Sequence, residues 1–225
     1  MKIFQTNFFG DHNIGIYGKA SDNVCILGSF VDEKNKKKIE ELLKVKVYSL
    51  TVARTDLVGI FCCLNSNGII LPKILSEKEL ETFKKIEKEV GINLGIIKSK
   101  FTAMGNLILC NDKGAIVSKV FTKKEKKKIE DFLGVDSEFL SLGEIKTLGS
   151  CGIATNKGCL VHRDAKEEEI KVIEEVLKVK VDVGTANFGS PFVGSCGFAN
   201  SNGAVIGEST TGPEFARISE TLGLI

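Results

Sequence analysis

Residues 58–71 read VGIFCCLNSNGIIL, and this stretch contains the two signals from which the fold is predicted. Asn67-Gly68 separates two apolar runs. A short loop with glycine between such runs is typical of a β-hairpin, because glycine takes positive φ without steric cost. Val58-Gly59 lies nine residues before the turn, so we expect it at the start of the first hairpin strand.

Both signals recur along the chain at intervals of 44 to 46 residues. The turn signal returns at Lys113-Gly114, Lys157-Gly158 and Asn202-Gly203, while Asp22-Asn23 makes the first turn without glycine. The apolar-glycine pair appears at Ile14-Gly15, Val58-Gly59, Met104-Gly105, Leu148-Gly149 and Val193-Gly194. The chain is therefore predicted to contain five copies of one structural unit.

A helix is predicted after each hairpin. Fifteen residues after the five turn positions stand Ile39, Phe83, Ile129, Ile173 and Ile218. Further apolar residues follow them at helical spacing, which indicates one buried stripe per helix. Capping boxes are predicted at Ser76-Glu79, Thr122-Glu125 and Thr211-Glu214, with Asp32 and Asp164 as plain caps. A short apolar stretch after each helix except the last predicts a third strand.

One unit cannot bury its own strands, so neighbouring units must pack together. A closed ring with hairpins around the axis and helices outside satisfies every unit and leaves no sheet edge open. We therefore expect an α/β propeller with five blades, and Ile3-Phe4-Gln5 is free to supply the last third strand. The expectation is a single domain over 1–225, with units at about 1–50, 51–96, 97–140, 141–185 and 186–225.

Composition limits the classes of function. The formal charge is +2, from 31 basic and 29 acidic residues, so no strong overall field favours DNA or a membrane surface, and any RNA contact is expected to be local. Seven cysteines and the first ten residues, MKIFQTNFFG, which lack the apolar core of a secretion signal, indicate reduced thiols in a cytoplasmic protein. No apolar run approaches the roughly 18 residues of a membrane span.

The residues that could carry chemistry have structural interpretations as well. Cys196 with His162-Arg163-Asp164 could form a nucleophile and base. However, Cys151 and Cys196 both stand in Gly-Ser-Cys-Gly, which is typical of small buried core residues. No metal-site spacing of Cys or His and no glycine-rich nucleotide loop is present, so we expect no cofactor and no metal. The Lys-rich helices are interpreted as solvated faces, with an RNA patch as the alternative.

One ring of positions differs between the units, namely the residue after each register glycine. These residues are Ile16, Ile60, Asn106, Ser150 and Ser195. If the glycines allow five segments to crowd near the axis, these residues surround one mouth of the ring. They are either a binding surface or neighbours of glycines needed only for close packing.

Several fragments, in this order on a five-unit chain, resemble the archaeal and eukaryotic translation initiation factor 6 family over essentially the full length. The fragments are Asn13-Ile14-Gly15, Ala103-Met104-Gly105-Asn106, Asn111-Asp112, Gly158-Cys159-Leu160-Val161-His162 and Thr210-Thr211-Gly212-Pro213-Glu214-Phe215. The resemblance implies the pentein fold, a ring of ββαβ units with fivefold pseudosymmetry. It also implies an archaeal-type member that binds the large ribosomal subunit near the sarcin-ricin loop and sterically blocks joining of the small subunit.

Further expectations follow from the resemblance. The partner is the large subunit, through ribosomal proteins and local ribosomal RNA, and the factor acts as a monomer in translation initiation and in maturation of that subunit. Matched by motif and ring position, the expected contact residues are Gly15, Ile16, Ile60, Gly105, Asn106, Ser150 and Ser195. No covalent step is required, so no enzyme is expected. The alternative is a pentein-type Cys/His hydrolase or transferase acting on guanidino substrates.

Overall fold

The computed structural model describes residues 2–225, which form a closed ring of five units around one axis. The strands are β1 Ile3–Thr6, β2 Gly18–Ala20, β3 Val24–Gly28, β4 Lys46–Leu50, β5 Cys63–Leu64, β6 Gly68–Pro72, β7 Asn93–Ile97, β8 Ile108–Cys110, β9 Ala115–Ser118, β10 Ser137–Leu140, β11 Gly152–Ala154, β12 Gly158–His162, β13 Lys180–Gly184, β14 Gly197–Ala199 and β15 Ala204–Gly207. The outer helices are α1 Glu33–Leu43, α2 Glu77–Val90, α3 Lys123–Leu133, α4 Glu167–Leu177 and α5 Gly212–Thr221.

Each unit contributes one sheet of three strands. The first two strands pair antiparallel, as β2 does with β3, and the third strand joins the second in parallel, as β4 does with β3. The parallel pairing requires a crossover connection, which the outer helix provides. In the fifth unit the third strand is β1, whose Ile3 lies opposite Ala204 of β15. The predicted pentein-type α/β ring is confirmed.

The outer helices begin largely where the capping signals predict. Asp32 accepts a hydrogen bond from the backbone N–H of Asn35 at 2.9 Å, and Ser76 with Glu79 forms a full capping box. The prediction for Asp164 is wrong: α4 begins at Glu167, and Glu169 accepts from the Lys166 N–H at 2.9 Å. The longest helix has 14 residues. Within residues 2–225, no helix is long and apolar enough to cross a membrane.

The hydrophobic core is distributed over five clusters, each at the boundary between two neighbouring units. Cys63 and Ile70 of the second unit, for example, pack with Met104 and Ile129 of the third. The fifth unit joins the first in the same way, through Phe198 packed among first-unit residues. The predicted helix positions Ile39, Phe83, Ile129, Ile173 and Ile218 are all fully buried. No unit therefore has a complete core without its neighbours.

The apolar-glycine pairs are not at the start of strands, which corrects the prediction. They lie on short axial helices immediately before the first strands. These axial helices are the single 3-10 turn Ile14–Ile16 and the α-helical turns Val58–Phe61, Met104–Leu107, Leu148–Cys151 and Val193–Cys196. A helical turn presents its backbone to the axis where an extended strand would project side chains, so five backbones can meet there.

The glycines are required by this meeting. A Cβ on Gly59 would lie 2.0 Å from the carbonyl oxygen of Gly15, and a Cβ on Gly105 would lie 2.0 Å from that of Gly59. The cycle continues through Gly149, at 1.9 Å from the Gly105 oxygen, and through Gly194, at 2.2 Å from the Gly149 oxygen. It closes when a Cβ on Gly15 meets the Gly194 oxygen at 2.2 Å. Only glycine fits at all five positions.

We expect Gly149→Ala to lower the free energy of unfolding by about 3 kcal/mol or more, because the rigid carbonyls of Gly105 and Ile108 in the preceding unit cannot move away from the new methyl group. Urea denaturation followed by circular dichroism measures this. The matched control is Gly212→Ala, where a Cβ meets nothing within 4 Å. That variant should be neutral or slightly more stable. Equal effects of the two substitutions would contradict the steric explanation.

Candidate functional site

The predicted contact residues surround one mouth of the ring, which we call the axial-helix face. Ile16, Ile60, Asn106 and Ser195 are half-buried there. Ser150 is only 7% exposed, and its hydroxyl donates to the Thr147 carbonyl at 2.7 Å. The structure therefore brings together four partly accessible side chains and one that its own helix holds.

The predicted residues Gly15 and Gly105 are buried in the same ring and belong to the glycine–carbonyl cycle. Their observed role is to hold the axial helices together. They position the neighbouring residues Ile16 and Asn106, which are half-buried on the axial-helix face.

Rim loops surround the axial-helix face and were not predicted from the sequence. Residues 8–11, 52–55, 142–145 and 186–190 each form a tight loop closed by an isolated β-bridge, and residues 98–101 occupy this place in the third unit. Phe9, Ala53, Arg54, Asn187 and Phe188 have positive φ, which is uncommon for residues other than glycine. Of these residues, Phe9, Arg54 and Phe188 are exposed at the loop tips.

Carboxylates at the starts of the outer helices, one buried and two half-buried, hold three of the rim loops. Glu214 accepts hydrogen bonds from the Gly189 N–H at 2.8 Å and from the Thr185 hydroxyl at 2.7 Å. Glu79 accepts from the Arg54 N–H at 2.8 Å, and Glu169 accepts from the Gly143 N–H at 2.7 Å. Glu79 and Glu214, which were predicted as capping residues, therefore also fix the loops beside their helices, and Glu169, which was not predicted, does the same.

The charge of these carboxylates is stabilised by the hydrogen bonds. Burial alone would raise the pKa of Glu214, but hydrogen bonds from the Thr211 N–H, the Thr185 hydroxyl and the Gly189 N–H outweigh it and lower that pKa. The pKa of Glu79 is lowered in the same way: burial opposes the shift, and bonds from the Ser76 and Arg54 backbones produce it. Both groups remain ionised acceptors at neutral pH.

Exposed aromatic residues lie on the rim of the fifth and first units, and we call Phe9, Phe188 and Phe192 the aromatic arc. Phe9 is 81% exposed and Phe188 is 83% exposed, which is unusual for side chains of this size. Phe9 stacks on Phe30 with ring centroids 5.4 Å apart. The two loops are connected where the Asn187 amide donates to the His12 carbonyl at 2.6 Å.

Basic residues occupy the rim of the second, third and fourth units. This basic arc consists of Arg54, Lys73, Lys98, Lys100, Lys119, Lys146 and Arg163, all of them exposed. Exposed Glu144 and Asp164 interrupt it. Lys73, Lys119 and Arg163 each stand five residues after the hairpin glycine, while the equivalent residue of the fifth unit is Glu208. This register is the sequence signal that could have revealed the arc.

The opposite mouth is closed by interlocked hairpin turns. The Asn65 side chain donates to the Asn111 carbonyl at 3.1 Å and to the Leu133 carbonyl at 2.9 Å, both in the next unit. Asn111 and Asn200 repeat this pattern around the ring. Ser66 and Asn156 then bond to Asp112 across neighbouring turns. The polar groups of this mouth are therefore largely committed to joining the units.

The proposed nucleophile and base do not form a catalytic pair. The Cys196 sulfur is fully buried, and its contact is with the Asn13 side-chain oxygen at 3.9 Å. Burial raises the pKa of the Cys196 thiol, which favours the unreactive protonated form. His162 is itself buried, and its Nδ1 accepts from the Asp164 N–H at 3.2 Å. Among residues 2–225, no cluster of three or more His, Cys, Asp or Glu side chains could hold a metal ion.

Comparison with known proteins identifies the family. The family model described as "eIF-6 family" matches residues 3–221. Across 227 residues, covering all of both chains, the protein is 43% identical to the translation initiation factor 6 of Pyrococcus abyssi (strain GE5 / Orsay). The chain belongs to the translation initiation factor 6 family. A further family member, from Methanocaldococcus jannaschii, is 41% identical with 99% of each chain covered.

A solved structure outside the translation initiation factor 6 family shares the fold. It is dimethylarginine dimethylaminohydrolase in an adduct with S-methyl-L-thiocitrulline, with a TM-score of 0.50 and 11% identity. The match covers 80% of this chain and 69% of the other. At this identity the likeness concerns the pentein ring alone, because one fold carries many unrelated functions.

We expect Glu214→Gln to lower the free energy of unfolding by about 2 kcal/mol at pH 7, because a neutral amide replaces a carboxylate that accepts several hydrogen bonds. Since the folded pKa is lowered, the carboxylate contributes its full stability above the unfolded pKa of about 4.3 and loses it as the pH falls through the folded value. The difference between the two proteins should therefore shrink below pH 4.

Urea denaturation at a series of pH values measures this difference. The exposed Glu175 on α4 supplies the control, since Glu175→Gln removes a carboxylate with no rim loop to hold. A constant difference for Glu214→Gln down to pH 3 would show that the charge of Glu214 is not what anchors the loop.

Proposed function

We propose that the protein binds the large ribosomal subunit in the cytoplasm and sterically prevents its premature association with the small subunit. The observation that carries this proposal is the 43% identity, over the full length, with a protein named translation initiation factor 6. Steric exclusion requires a rigid body and a docking face. A ring whose units share all their cores is such a body.

The axial-helix face is the contact surface that we propose. It carries the half-buried Asn106, whose amide can both donate and accept hydrogen bonds. Ile16 and Ile60 add apolar surface beside it. The opposite mouth suits this role less well, because its Asn and Asp side chains are occupied by bonds between units.

The rim carries aromatic residues on one side and basic residues on the other, which favours a partner that offers both protein and RNA surface. The aromatic arc provides large side chains of the type enriched at protein interfaces, which suits a ribosomal protein. The basic arc provides ammonium and guanidinium groups of the type that bind phosphates, which suits a local stretch of ribosomal RNA. A chain with a net charge of only +2 can make both contacts if its charges are distributed in this way.

We propose binding without a covalent step. The guanidino-hydrolase alternative needs an accessible cysteine beside a base, whereas Cys196 is buried and His162 bonds within its own loop. The dimethylarginine dimethylaminohydrolase likeness adds nothing to that alternative, since at 11% identity it concerns the fold alone.

The purified protein should cosediment with free large subunits from an archaeal extract and should be absent from joined ribosomes. Asn106→Trp should weaken this binding at least tenfold, because a bulky indole keeps the two surfaces apart, while the melting temperature stays within about 2 °C. Sucrose-gradient sedimentation and thermal denaturation measure the two quantities.

The same substitution at the opposite mouth supplies the control. Asn23 is exposed on a hairpin turn, so Asn23→Trp should retain full affinity. Equal sedimentation of the wild-type protein with free and joined subunits would refute the proposed function. Equal weakening by both substitutions would instead refute the choice of face.

Reversing charges on the basic arc should weaken binding in a salt-dependent way. The double variant Lys98→Glu/Lys100→Glu should lose more than tenfold in affinity at low salt, and the slope of log affinity against log salt should fall by roughly one to two. The control is Lys124→Glu/Lys128→Glu, which reverses two exposed charges on α3. Identical losses in both double variants would indicate a nonspecific charge effect and contradict the local RNA contact.

A further inference from the structure

The first strands of the five units enclose a cavity of about 40 Å³ on the ring axis. This volume holds on the order of three water molecules. The axial-helix face lies elsewhere, and the proposed function uses no residue of the cavity. Lys19, Cys63, Cys110 and Phe198 are among its lining residues. Apolar side chains would fill such a small cavity equally well, so a lysine and two thiols there suggest a chemical role beyond packing.

The two thiols are in direct contact. The sulfur atoms of Cys63 and Cys110 lie 3.3 Å apart, although the residues are 47 positions apart in the chain and belong to different units. A disulfide bond is about 2.0 Å long, so the sulfurs need to approach by only about 1.3 Å to form one. The Cys110 thiol also contacts the Leu64 carbonyl at 3.4 Å, which holds it over the second unit.

The other five cysteines differ from this pair, because Cys63 and Cys110 line the axial cavity and the other five do not. Cys25, Cys62, Cys151, Cys159 and Cys196 are fully buried within the hydrophobic clusters. Cys110 keeps partial exposure, so a small reagent can reach the pair through the axial cavity. In the five other cysteines, burial is the sole or the main cause that raises the pKa of the thiol. These five are packing residues.

Lys19 lines the same cavity as the two thiols and interacts electrostatically with them. Burial lowers the pKa of Lys19, while the nearby sulfurs of Cys63 and Cys110 oppose that change, as expected if charge on the ammonium and on a thiolate stabilise each other. The pKa of Cys110 is raised, first by its hydrogen bond with Cys63 and then by burial.

We propose that Cys63 and Cys110 form an oxidation site, at which a small hydroperoxide closes a disulfide between the second and third units. One thiolate attacks a peroxide oxygen, the O–O bond breaks, and a sulfenic acid forms while the other oxygen leaves as water after taking a proton. The second sulfur then attacks the sulfenic sulfur, the S–O bond breaks, and the hydroxyl leaves as water with the second thiol proton. Two thiols and one hydrogen peroxide become one disulfide and two waters.

The bond joins two units that otherwise interact without covalent links, and it closes a loop of 47 residues. A cross-link of this length restricts the unfolded chain and so stabilises the folded one. The oxidised protein should melt about 5 °C or more above the reduced protein, and dithiothreitol should reverse the shift.

The test treats the folded protein with hydrogen peroxide, then denatures it and alkylates the remaining thiols. Mass spectrometry should find seven alkyl groups before oxidation and five afterwards, since the chain has seven cysteines. Trypsin should yield peptide 55–73 joined to peptide 101–113. Cys63→Ala should abolish the joined peptide, whereas the matched variant Cys62→Ala, changed at the adjacent residue, should retain it.

Other outcomes overturn the proposal. They are a joined peptide that persists in Cys63→Ala, a cross-link between two other cysteines, and a folded protein in which Cys63 and Cys110 stay reduced or become sulfinic acids. Lys19→Met keeps an unbranched side chain, shorter by one atom, and removes its charge, so it should slow disulfide closure several-fold. An unchanged rate in that variant overturns the role assigned to Lys19.

Discussion

Five glycines lie so close to the carbonyl oxygen of the preceding unit that no side chain fits between them, and the rest of the ring depends on this approach. Each glycine leaves room for the carbonyl oxygen of the preceding glycine, and its own carbonyl occupies the space where a side chain of the next glycine position would lie. Gly59 packs on Gly15 in this way, and Gly105 packs on Gly59. The contacts form a cycle that closes from Gly15 to Gly194. An enlarged residue would therefore collide with the preceding unit, and moving it away would carry its own carbonyl towards the next unit. The distance of every first strand from the axis, and so the width of the axial cavity, follows from this cycle.

The same cycle explains why stability cannot be assigned to single units. Each hydrophobic cluster takes residues from two neighbours, as Ile26 of the first unit packs with Phe83 of the second. The Asn65 and Asn111 side chains satisfy carbonyls of the following unit, so the polar mouth is shared as well. Even the last sheet is incomplete until β1 pairs with β15. Folding of the fifth unit thus waits for both ends of the chain, and the ring is expected to unfold cooperatively.

The parts predicted from sequence were those with a repeated local signal. Gly68 and its equivalents identify the turns, and Ile39 with its equivalents identifies the buried stripe, because both signals act within a few residues. The axial helices were not predicted, because a helix of four residues shows no helical period and has no capping side chain. Val58-Gly59 is therefore equally compatible with the start of a strand. The rim loops were not predicted, because Phe9 and Phe188 adopt the left-handed conformation that a sequence normally signals with glycine. The contact between Cys63 and Cys110 depends on how the second and third units pack around the axis, although counting back from each turn places Lys19 and Cys63 at equivalent positions.

The contrast between fixed and free positions indicates where function resides in such a ring. Gly105 cannot change without displacing its neighbours, but the next residue, Asn106, projects from the packed axis and is constrained by nothing in the cycle. The same holds at Ile16, Ile60 and Ser195, so four structurally equivalent positions carry three different residue types. Pseudosymmetry in the backbone together with asymmetry in the exposed side chains is what an asymmetric partner requires. A surface that only packed against itself would have no reason to place aromatic residues on two adjacent units and basic residues on the other three.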